Sequence, residues 1–323
     1  MTQHWYPLRF EPILKEKIWG GHQLKELLNK TSQDRPFGES WEIAALPNDQ
    51  SIVSMGAYKG KTLGDLCSAF AKAVLGEKVA STYGTTFPLL IKFIDAADDL
   101  SVQLHPDDTI AKRDHNSFGK TEMWYILHAE PQAQIIVGFN KEMDAGTFAT
   151  AIDENTLTKD LRYIPVQAGD AFFIDAGLIH AIGKGVVLAE IQQTSDITYR
   201  VYDYGRVQAD GSLRDLHIDA AKKAIDFAPN KTYRLRYDKA LQGRQPLKHA
   251  TYFKTDILQL DRKAYTIDRK DSFTILMVVG GAITISCDEM TQVLASGQTI
   301  LLPAACPEVK IQGEGASVLE VYL

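Results

Sequence analysis

The sequence predicts a mainly β protein made of two barrels, with a small helical element packed on the N-terminal one. Short runs of apolar, β-branched and aromatic residues alternate with Gly, Pro and Asp turns along most of the 323 residues, and such runs recur from residue 252 to the end. This density of strands is typical of all-β modules. Residues 229–246 are polar and basic, so we expect a first domain over residues 1–235 and a second over residues 246–323.

Residues 38–44 are predicted to form a strand on which acidic and aromatic side chains alternate. Because alternate side chains of a strand share a face, this pattern predicts a face that lines a polar site. An ordinary amphipathic strand has the same pattern, and the sequence leaves both interpretations open.

The clearest helical pattern covers residues 62–80. Apolar residues recur there at helical spacing, Thr62 is a predicted N-cap with Asp65 in the capping-box position, and Gly76 is expected to interrupt or end the first helix. We expect this element to pack on the first barrel and to carry no chemistry.

Four potential metal ligands lie between residues 101 and 200. Gln103 and His105 are two residues apart on a predicted strand and share a face, Glu122 lies near the start of the next strand, and His180 follows a third strand across a turn. A lone histidine is more often a surface or core residue. Two imidazoles, a carboxylate and an optional amide oxygen nevertheless form a set that suits zinc or iron, so we predict one metal site from these residues.

The remaining elements are predicted from the same strand and helix periodicities. Lys92 interrupts an apolar strand, so it lies either at an edge or in a polar site, and Glu190 shares a strand face with Gln192. The remaining predicted strands cover residues 88–94, 134–139, 171–174, 186–192, 253–260, 273–279, 282–287, 298–302 and 317–323, with helices at 144–152 and 217–228.

A spaced motif occurs once in each half. Residues 169–180 follow the pattern G-x5-D-x-G-x-x-H, and residues 297–308 follow G-x5-P-x-A-x-x-E. Both are similar to the motif G-x5-P-x-G-x-x-H of the cupin fold, a double-sheet jelly roll. We therefore predict two cupin-type jelly-roll barrels. The second has lost the histidine that His180 supplies in the first, so we expect it to hold no metal and to be structural or pocket-closing. Chance similarity of two short β-turn-β segments is the alternative.

Composition excludes several classes of function. The net charge of −6 argues against a nucleic-acid-binding surface. No apolar run approaches membrane-spanning length, the N-terminus lacks a signal-peptide pattern, and the three cysteines form no CxxC pair. We expect a cytoplasmic protein, monomeric or weakly homo-oligomeric, that binds neither nucleic acid nor membranes.

Three motifs carry a more specific resemblance: QLHPDD at residues 103–108, GKTEMWY at 119–125 and EIQQTSDITYR at 190–200. Together they resemble the type I mannose-6-phosphate isomerases of the cupin superfamily, in their short bacterial form. The resemblance spans nearly the whole chain. It implies reversible conversion of mannose 6-phosphate to fructose 6-phosphate through an enediol, one Zn²⁺ per chain, and a small sugar phosphate as partner.

By position, the resemblance implies that the zinc ligands are Gln103, His105, Glu122 and His180 and that Arg200 and Lys120 are catalytic. Arg200 is permanently charged, so it suits stabilising an enediolate or gripping phosphate better than acting as a base. Lys120 either shuttles the proton or binds phosphate or hydroxyl as a charged group, and the sequence leaves this open.

Five further residues are candidates for substrate binding. Ser101 and Lys92 are expected at the phosphate, Trp41 at the floor of the sugar site, and Glu190 and Asp196 beside Arg200 or Lys120 to orient them. Two other functions fit the same residues: a cupin metal-dependent oxygenase, since His and carboxylate ligands also suit iron, and a non-catalytic sugar-phosphate-binding sensor.

Overall fold

The structure, a computed structural model, describes residues 4–208, 210–228, 233–267 and 271–323. Strands predominate, as predicted. Within these residues the first half contains β1 (Ile13–Lys15), β2 (Glu39–Ile43), β3 (Ala45–Leu46), β4 (Asp49–Gln50), β5 (Leu89–Ala96), β6 (Val102–Leu104), β7 (Glu122–Ala129), β8 (Gln134–Phe139), β9 (Leu161–Pro165), β10 (Ala171–Ile174), β11 (His180–Ile182), β12 (Val186–Gln193) and β13 (Tyr199–Tyr202).

Short helices connect these strands. In the described part of the chain they are α1 (Gln23–Glu26), α2 (Leu63–Leu75), α3 (Glu77–Tyr83), α4 (Asp108–His115), α5 (Ala145–Asp153) and α6 (Ile218–Ala224), and a 3-10 turn covers Leu157–Asp160. None of the helices in the described ranges is long and apolar enough to cross a membrane.

The first barrel consists of two antiparallel sheets. One has the order β1-β2-β5-β12-β7-β10 and the other the order β13-β6-β11-β8-β9. Apolar side chains from both sheets form one cluster between them, for example Ile94 and Trp124 from the first and Ile135 and Val137 from the second. This double-sheet arrangement confirms the predicted jelly-roll class.

The second half repeats the plan. Its strands, in the described residues, are β14 (Gly243–His249), β15 (Lys254–Asp261), β16 (Tyr265–Ile267), β17 (Thr274–Gly280), β18 (Ala282–Cys287), β19 (Met290–Ala295), β20 (Thr299–Leu302), β21 (Val309–Gln312) and β22 (Glu314–Tyr322). They form sheets of order β14-β15-β22-β17-β20 and β16-β21-β18-β19 around an apolar interior.

The two barrels correspond in register as well as in order. Glu122 pairs with Ile174 between β7 and β10, and Thr274 pairs with Leu302 between β17 and β20. Ile174 and Leu302 occupy the same position in the repeated motif, so the second barrel has a threonine where the first has a carboxylate. The histidine position of the motif holds Glu308, which is half exposed and pairs with Lys310.

The helical element lies between the barrels and not on the first alone. Thr62 and Asp65 form the predicted capping box, and α2 ends at Gly76 as expected, although α3 continues to Tyr83. The carbonyl oxygen of Leu75 accepts the N–H of Phe273, in the second half, at 3.1 Å. This contact, together with apolar packing, joins the element to both barrels.

The predicted domain boundaries stay a prediction. Residues 229–232 of the predicted boundary segment lie outside the described residues, and β14 begins at Gly243, before residue 246. One apolar cluster contains side chains from both halves, such as Phe93 and Phe273.

Candidate active site

Three predicted metal ligands meet inside the first barrel. His105 follows β6, Glu122 begins β7 and His180 begins β11, so the cluster joins the two sheets. One ligand atom from each residue lies within 4.8 Å of the others. The two Glu122 oxygens are each 3.5 Å from one imidazole Nε2, and all three side chains are buried.

Both imidazoles are held by main-chain carbonyl groups. Nδ1 of His105 lies 2.7 Å from the oxygen of Ile197, and Nδ1 of His180 lies 2.8 Å from that of Leu178. A proton on Nδ1 leaves Nε2 with its lone pair. Nε2 of His180 and Oε1 of Glu122 are buried without a hydrogen-bond partner among the described residues. Because buried polar atoms are normally satisfied, these atoms fit a bound metal ion.

Burial sets the charge states of the cluster. It raises the pKa of Glu122 to about 7, although the nearby Lys120 ammonium acts in the opposite direction. Burial, then the charge of Lys120, lowers the pKa of His180 to about 4 and holds the pKa of His105 well below its usual range. Both imidazoles are therefore neutral near pH 7, as metal ligands must be.

Gln103 lies beside the cluster on β6, the strand that His105 follows. In the sheet it pairs with His180 of β11 on one side and with Arg200 of β13 on the other. Arg200 Nε donates to Ser101 Oγ at 3.3 Å, and Ser101 Oγ donates to Gln103 Oε1 at 3.2 Å. Arg200 Nη1 also donates to the carbonyl oxygen of Asp215 at 2.8 Å. Arg200 is thus fixed in place and linked through Ser101 to the amide of Gln103.

Lys120 is buried against the same cluster. Its Nζ lies 2.6 Å from Glu122 Oε2 and 2.9 Å from His105 Nε2. Lys120 also lines the cavity that adjoins His180. It is therefore the cation nearest to the candidate ligands in the described part of the chain.

A row of four side chains crosses the larger sheet. Trp41, Lys92, Glu190 and Trp124 lie opposite one another on β2, β5, β12 and β7. Glu190 accepts from Trp124 Nε1 at 3.0 Å and pairs with Lys92 Nζ at 3.1 Å, and that ammonium lies 5.1 Å from the ring centre of Trp41. In the described residues the hydrogen bond and ion pair of Glu190 go to Trp124 and Lys92, and its expected role in orienting Arg200 or Lys120 stays a prediction.

This row keeps its charges despite its burial. Burial acts against the ionised form of Glu190, but Lys92, Lys120 and the Trp124 hydrogen bond outweigh it and lower the pKa to about 2. Burial likewise opposes the charge of Lys92, and Glu190 and Glu39 outweigh it and raise the pKa of the amine. Both groups are charged at neutral pH.

One cavity borders the cluster and the row. Its lining side chains come from both sheets and from the loops beside them: Lys17, Trp19, Glu39, Trp41, Lys92, Ile94, Leu100, Ser101, Gln103, Lys120, Trp124, His180, Ile182, Glu190, Asp196, Thr198, Arg200 and Arg214. Asp196 is exposed at the rim. All precede residue 215, so within the described residues the second barrel does not close this cavity, contrary to one of the two roles expected for it.

The chain is similar to known proteins over nearly its whole length. Residues 8–128 match the family model described as "Phosphomannose isomerase type I, catalytic domain", and residues 245–322 match "Mannose-6-phosphate isomerase, cupin domain". The chain is 35% identical to the mannose-6-phosphate isomerase ManA of Bacillus subtilis over 95% of its own length and 96% of that protein. It is 41% identical to a mannose-6-phosphate isomerase of Streptococcus mutans over 66% of each chain.

The chain belongs to the type I phosphomannose isomerase family. A crystal structure of mannose 6-phosphate isomerase from Bacillus subtilis superposes with a TM-score of 0.89 at 32% identity and covers 98% of this chain and 99% of that one. A putative mannosephosphate isomerase of Archaeoglobus fulgidus shares the fold, with a TM-score of 0.79 at 21% identity over 100% of this chain and 99% of that one.

Sequence reasoning missed several residues that line the cavity in this family member: Lys17, Trp19, Glu39, Trp124 and Arg214. Glu39 had a usable signal, because it lies two residues before Trp41 and must share its face. Trp124 has the same relation to Glu122. Arg214 had no signal in the sequence. It is held at the cavity by an ion pair with Asp203, which lies on a different segment.

Proposed function

We propose that this chain is an aldose–ketose isomerase that interconverts mannose 6-phosphate and fructose 6-phosphate, with zinc as its metal. The names of its relatives supply the substrate. The observation that carries the proposal is the buried group of His105, Glu122 and His180 beside a cavity that also presents Lys120 and Arg200.

The donor set supports zinc. His105, Glu122 and His180 would hold the ion, and Gln103 would be the fourth ligand through its amide oxygen. Two neutral imidazoles, a carboxylate and one weaker position are typical of catalytic zinc sites. When bound, zinc supplies a Lewis acid that polarises the carbonyl and hydroxyl oxygens of the sugar.

The reaction moves a proton between C2 and C1 through an enediol. Lys120 Nζ adjoins the ligand cluster and lines the cavity, so we assign its amine the proton shuttle: it takes the proton as the C2–H bond breaks and returns it as the C1–H bond forms. Glu190 stays ionised through its pairing with Lys92 and gives the cavity a fixed acceptor for sugar hydroxyl groups. Trp41 and Trp124 supply an apolar floor beneath the sugar.

Arg200 is assigned to the developing negative charge or to the phosphate. Its Nε and Nη1 are used by Ser101 and Asp215, and within the described residues this leaves Nη2 to reach a ligand. Five cationic side chains and three acidic ones line the cavity. This local excess of positive charge explains how a chain of net charge −6 accepts a phosphate dianion.

A coupled assay tests the proposal. The purified protein is stripped with a chelator, and fructose 6-phosphate formation from mannose 6-phosphate is followed with no metal, with zinc and with ferrous iron. We expect no turnover without metal and recovery with zinc. Full turnover of the stripped protein, or oxygen consumption with iron and no isomerisation, would refute the proposal.

A further inference from the structure

Lys120 lies in a stretch that has neither helix nor strand, between the end of α4 and the start of β7. A lysine side chain is long and flexible, so the space that its ammonium can reach depends on where its backbone is held. The backbone around Lys120 is held at three successive residues.

Asp108 and Gln193 hold the two peptide N–H groups on either side of Lys120. The N–H of Gly119 donates to Asp108 Oδ1 at 2.7 Å, and the N–H of Thr121 donates to Gln193 Oε1 at 2.9 Å. Gln193 Nε2 donates to the same Asp108 oxygen at 3.0 Å. One connected pair of side chains therefore clamps the chain immediately before and after Lys120.

The fit of this loop is tight. The N–H of Lys120 itself donates to the carbonyl oxygen of Pro106 at 3.1 Å, next to the candidate ligand His105. A Cβ placed on Gly119 would lie 2.6 Å from the backbone nitrogen of Asp108. The loop is thus pressed against the first turn of α4, where Asp108 reaches it.

We propose that Asp108 and Gln193 are positioning residues that fix Lys120 for proton transfer. This inference rests on the proposed isomerase function. Neither residue lines the cavity among the described residues, so they act only through Lys120 and its neighbours. Gln193 ends β12, the strand that carries Glu190, and so ties the Lys120 loop to the sheet that forms the floor.

The clamp also reaches the second barrel. Tyr252, which precedes β15, lies near Asp108, and burial together with this carboxylate raises the pKa of the tyrosine to about 12. The second half, which contributes nothing to the cavity wall in the described residues, therefore places a phenol near the Asp108 side of the clamp.

Two substitutions at one position separate positioning from charge. Asp108→Ala removes the acceptor for both Gly119 and Gln193, whereas Asp108→Asn removes the charge and keeps an oxygen that can accept both. We expect Asp108→Ala to lower kcat by about tenfold to a hundredfold, since displacement of a catalytic group by about 1 Å costs about that much. KM and bound metal should change little, and Asp108→Asn should stay close to the wild type.

A double-mutant cycle shows whether the effect passes through Lys120. If Asp108 acts by holding Lys120, then Asp108→Ala should change kcat by less than about twofold when Lys120→Ala is already present. Should Asp108→Ala not fold, Gln193→Met, which keeps the length of the side chain and removes its hydrogen bonds, replaces it in the same cycle.

Equal losses of kcat in both backgrounds, equal impairment of Asp108→Ala and Asp108→Asn, or wild-type kcat in Asp108→Ala would overturn the inference. Failure of both Asp108→Ala and Gln193→Met to fold would overturn it too, because the pair would then support the fold and not Lys120 in particular. Lack of isomerisation by the wild-type protein would instead refute the proposed function, so the two failures are distinguishable.

Discussion

Single residues of the site depend on one another through buried charge. Glu122 is in contact with Lys120, and Glu190 with Lys92, in surroundings almost without solvent. A buried ion pair adds little net stability, but removing one partner leaves an uncompensated charge that costs several kcal/mol, on the order of 3–5. Substitutions within these pairs therefore test fold and activity together.

Arg200 offers a cleaner test, because it is only half buried and its contacts are to a hydroxyl and a carbonyl group. We predict that Arg200→Ala lowers kcat by about 10²–10³-fold, the usual cost of losing one preorganised donor to a developing anion, with little change in melting temperature. Arg113→Ala is the matched control, since Arg113 is exposed and pairs only with its neighbour Asp114 in the described structure. Equal turnover in the two variants would remove Arg200 from the catalytic assignment.

The raised pKa of Asp95 predicts that the free energy of unfolding depends on pH. Burial raises its pKa from 3.8 to about 6. Between these values the folded state binds more protons than the unfolded state, so the free energy of unfolding falls as pH rises through this window. Asp95→Asn cannot ionise and should lack this contribution.

The melting temperature of Asp95→Asn minus that of the wild type should therefore grow from about pH 4 to about pH 7. Scanning calorimetry at several pH values measures it. A difference that stays constant with pH would contradict the assignment.

For single residues, the sequence predicts which side chains share a face of the site better than it predicts which of them contact one another. The spacing of Gln103 and His105 predicts their common face, because the period of a strand is fixed. The ion pair of Glu190 with Lys92 could not be predicted, since it depends on which strands are neighbours and in which register.

Among the elements, the connection of α2 and α3 is tightly constrained. Gly76 joins them with φ of +91°, and a Cβ there would lie 2.4 Å from the carbonyl oxygen of Asp271. Two separate costs therefore oppose a side chain: the left-handed backbone and the clash with the second barrel.

We predict that Gly76→Ala lowers the free energy of unfolding by about 3 kcal/mol, the sum of backbone strain and overpacking. Gly60→Ala is the control for strain alone, since Gly60 has φ of +84° and nothing within 4 Å of the added Cβ; its cost should be about 1 kcal/mol. Denaturant titration measures both. Equal costs would show that the contact with Asp271 is unimportant.

The local chemistry of this element was predictable, but its place in the fold was not. Thr62, Asp65 and Gly76 mark the helix start and break through interactions within a few residues. Its contact with the second barrel depends on residues far away in sequence, such as Phe273, and no periodic pattern records that.

In the whole molecule, the two barrels share one core. The Phe87 and Phe273 rings lie 4.7 Å apart between centroids, and Leu8 exchanges backbone hydrogen bonds of 2.7 and 3.0 Å with Leu301 of β20. The N-terminal segment thereby extends a sheet of the second barrel. Neither half can keep these contacts alone.

We therefore predict one cooperative thermal transition for the full chain, with equal calorimetric and van't Hoff enthalpies. Phe273→Ala should lower the midpoint of that single transition, at a cost of about 3–5 kcal/mol, and should not release a separate one. Two resolved transitions in the wild type would show that the barrels fold independently.

The repeated motif made the two-barrel plan predictable from sequence. The motif alone could not reveal that Thr274 stands where the first barrel has Glu122. The correspondence of β7 with β17 becomes visible only from the pairing of these strands with β10 and β20. The loss of both histidine and carboxylate explains why the second barrel has an apolar interior.

The proposed zinc ligands are His105, Glu122 and His180, together binding one ion. Anomalous diffraction at the zinc edge from crystals grown with zinc tests this assignment. We predict a single strong peak in each chain, about 2.0–2.1 Å from Nε2 of both histidines and about 2.0–2.2 Å from a Glu122 oxygen. A map without a peak at these atoms, or with its main peak elsewhere in the chain, would contradict the claim.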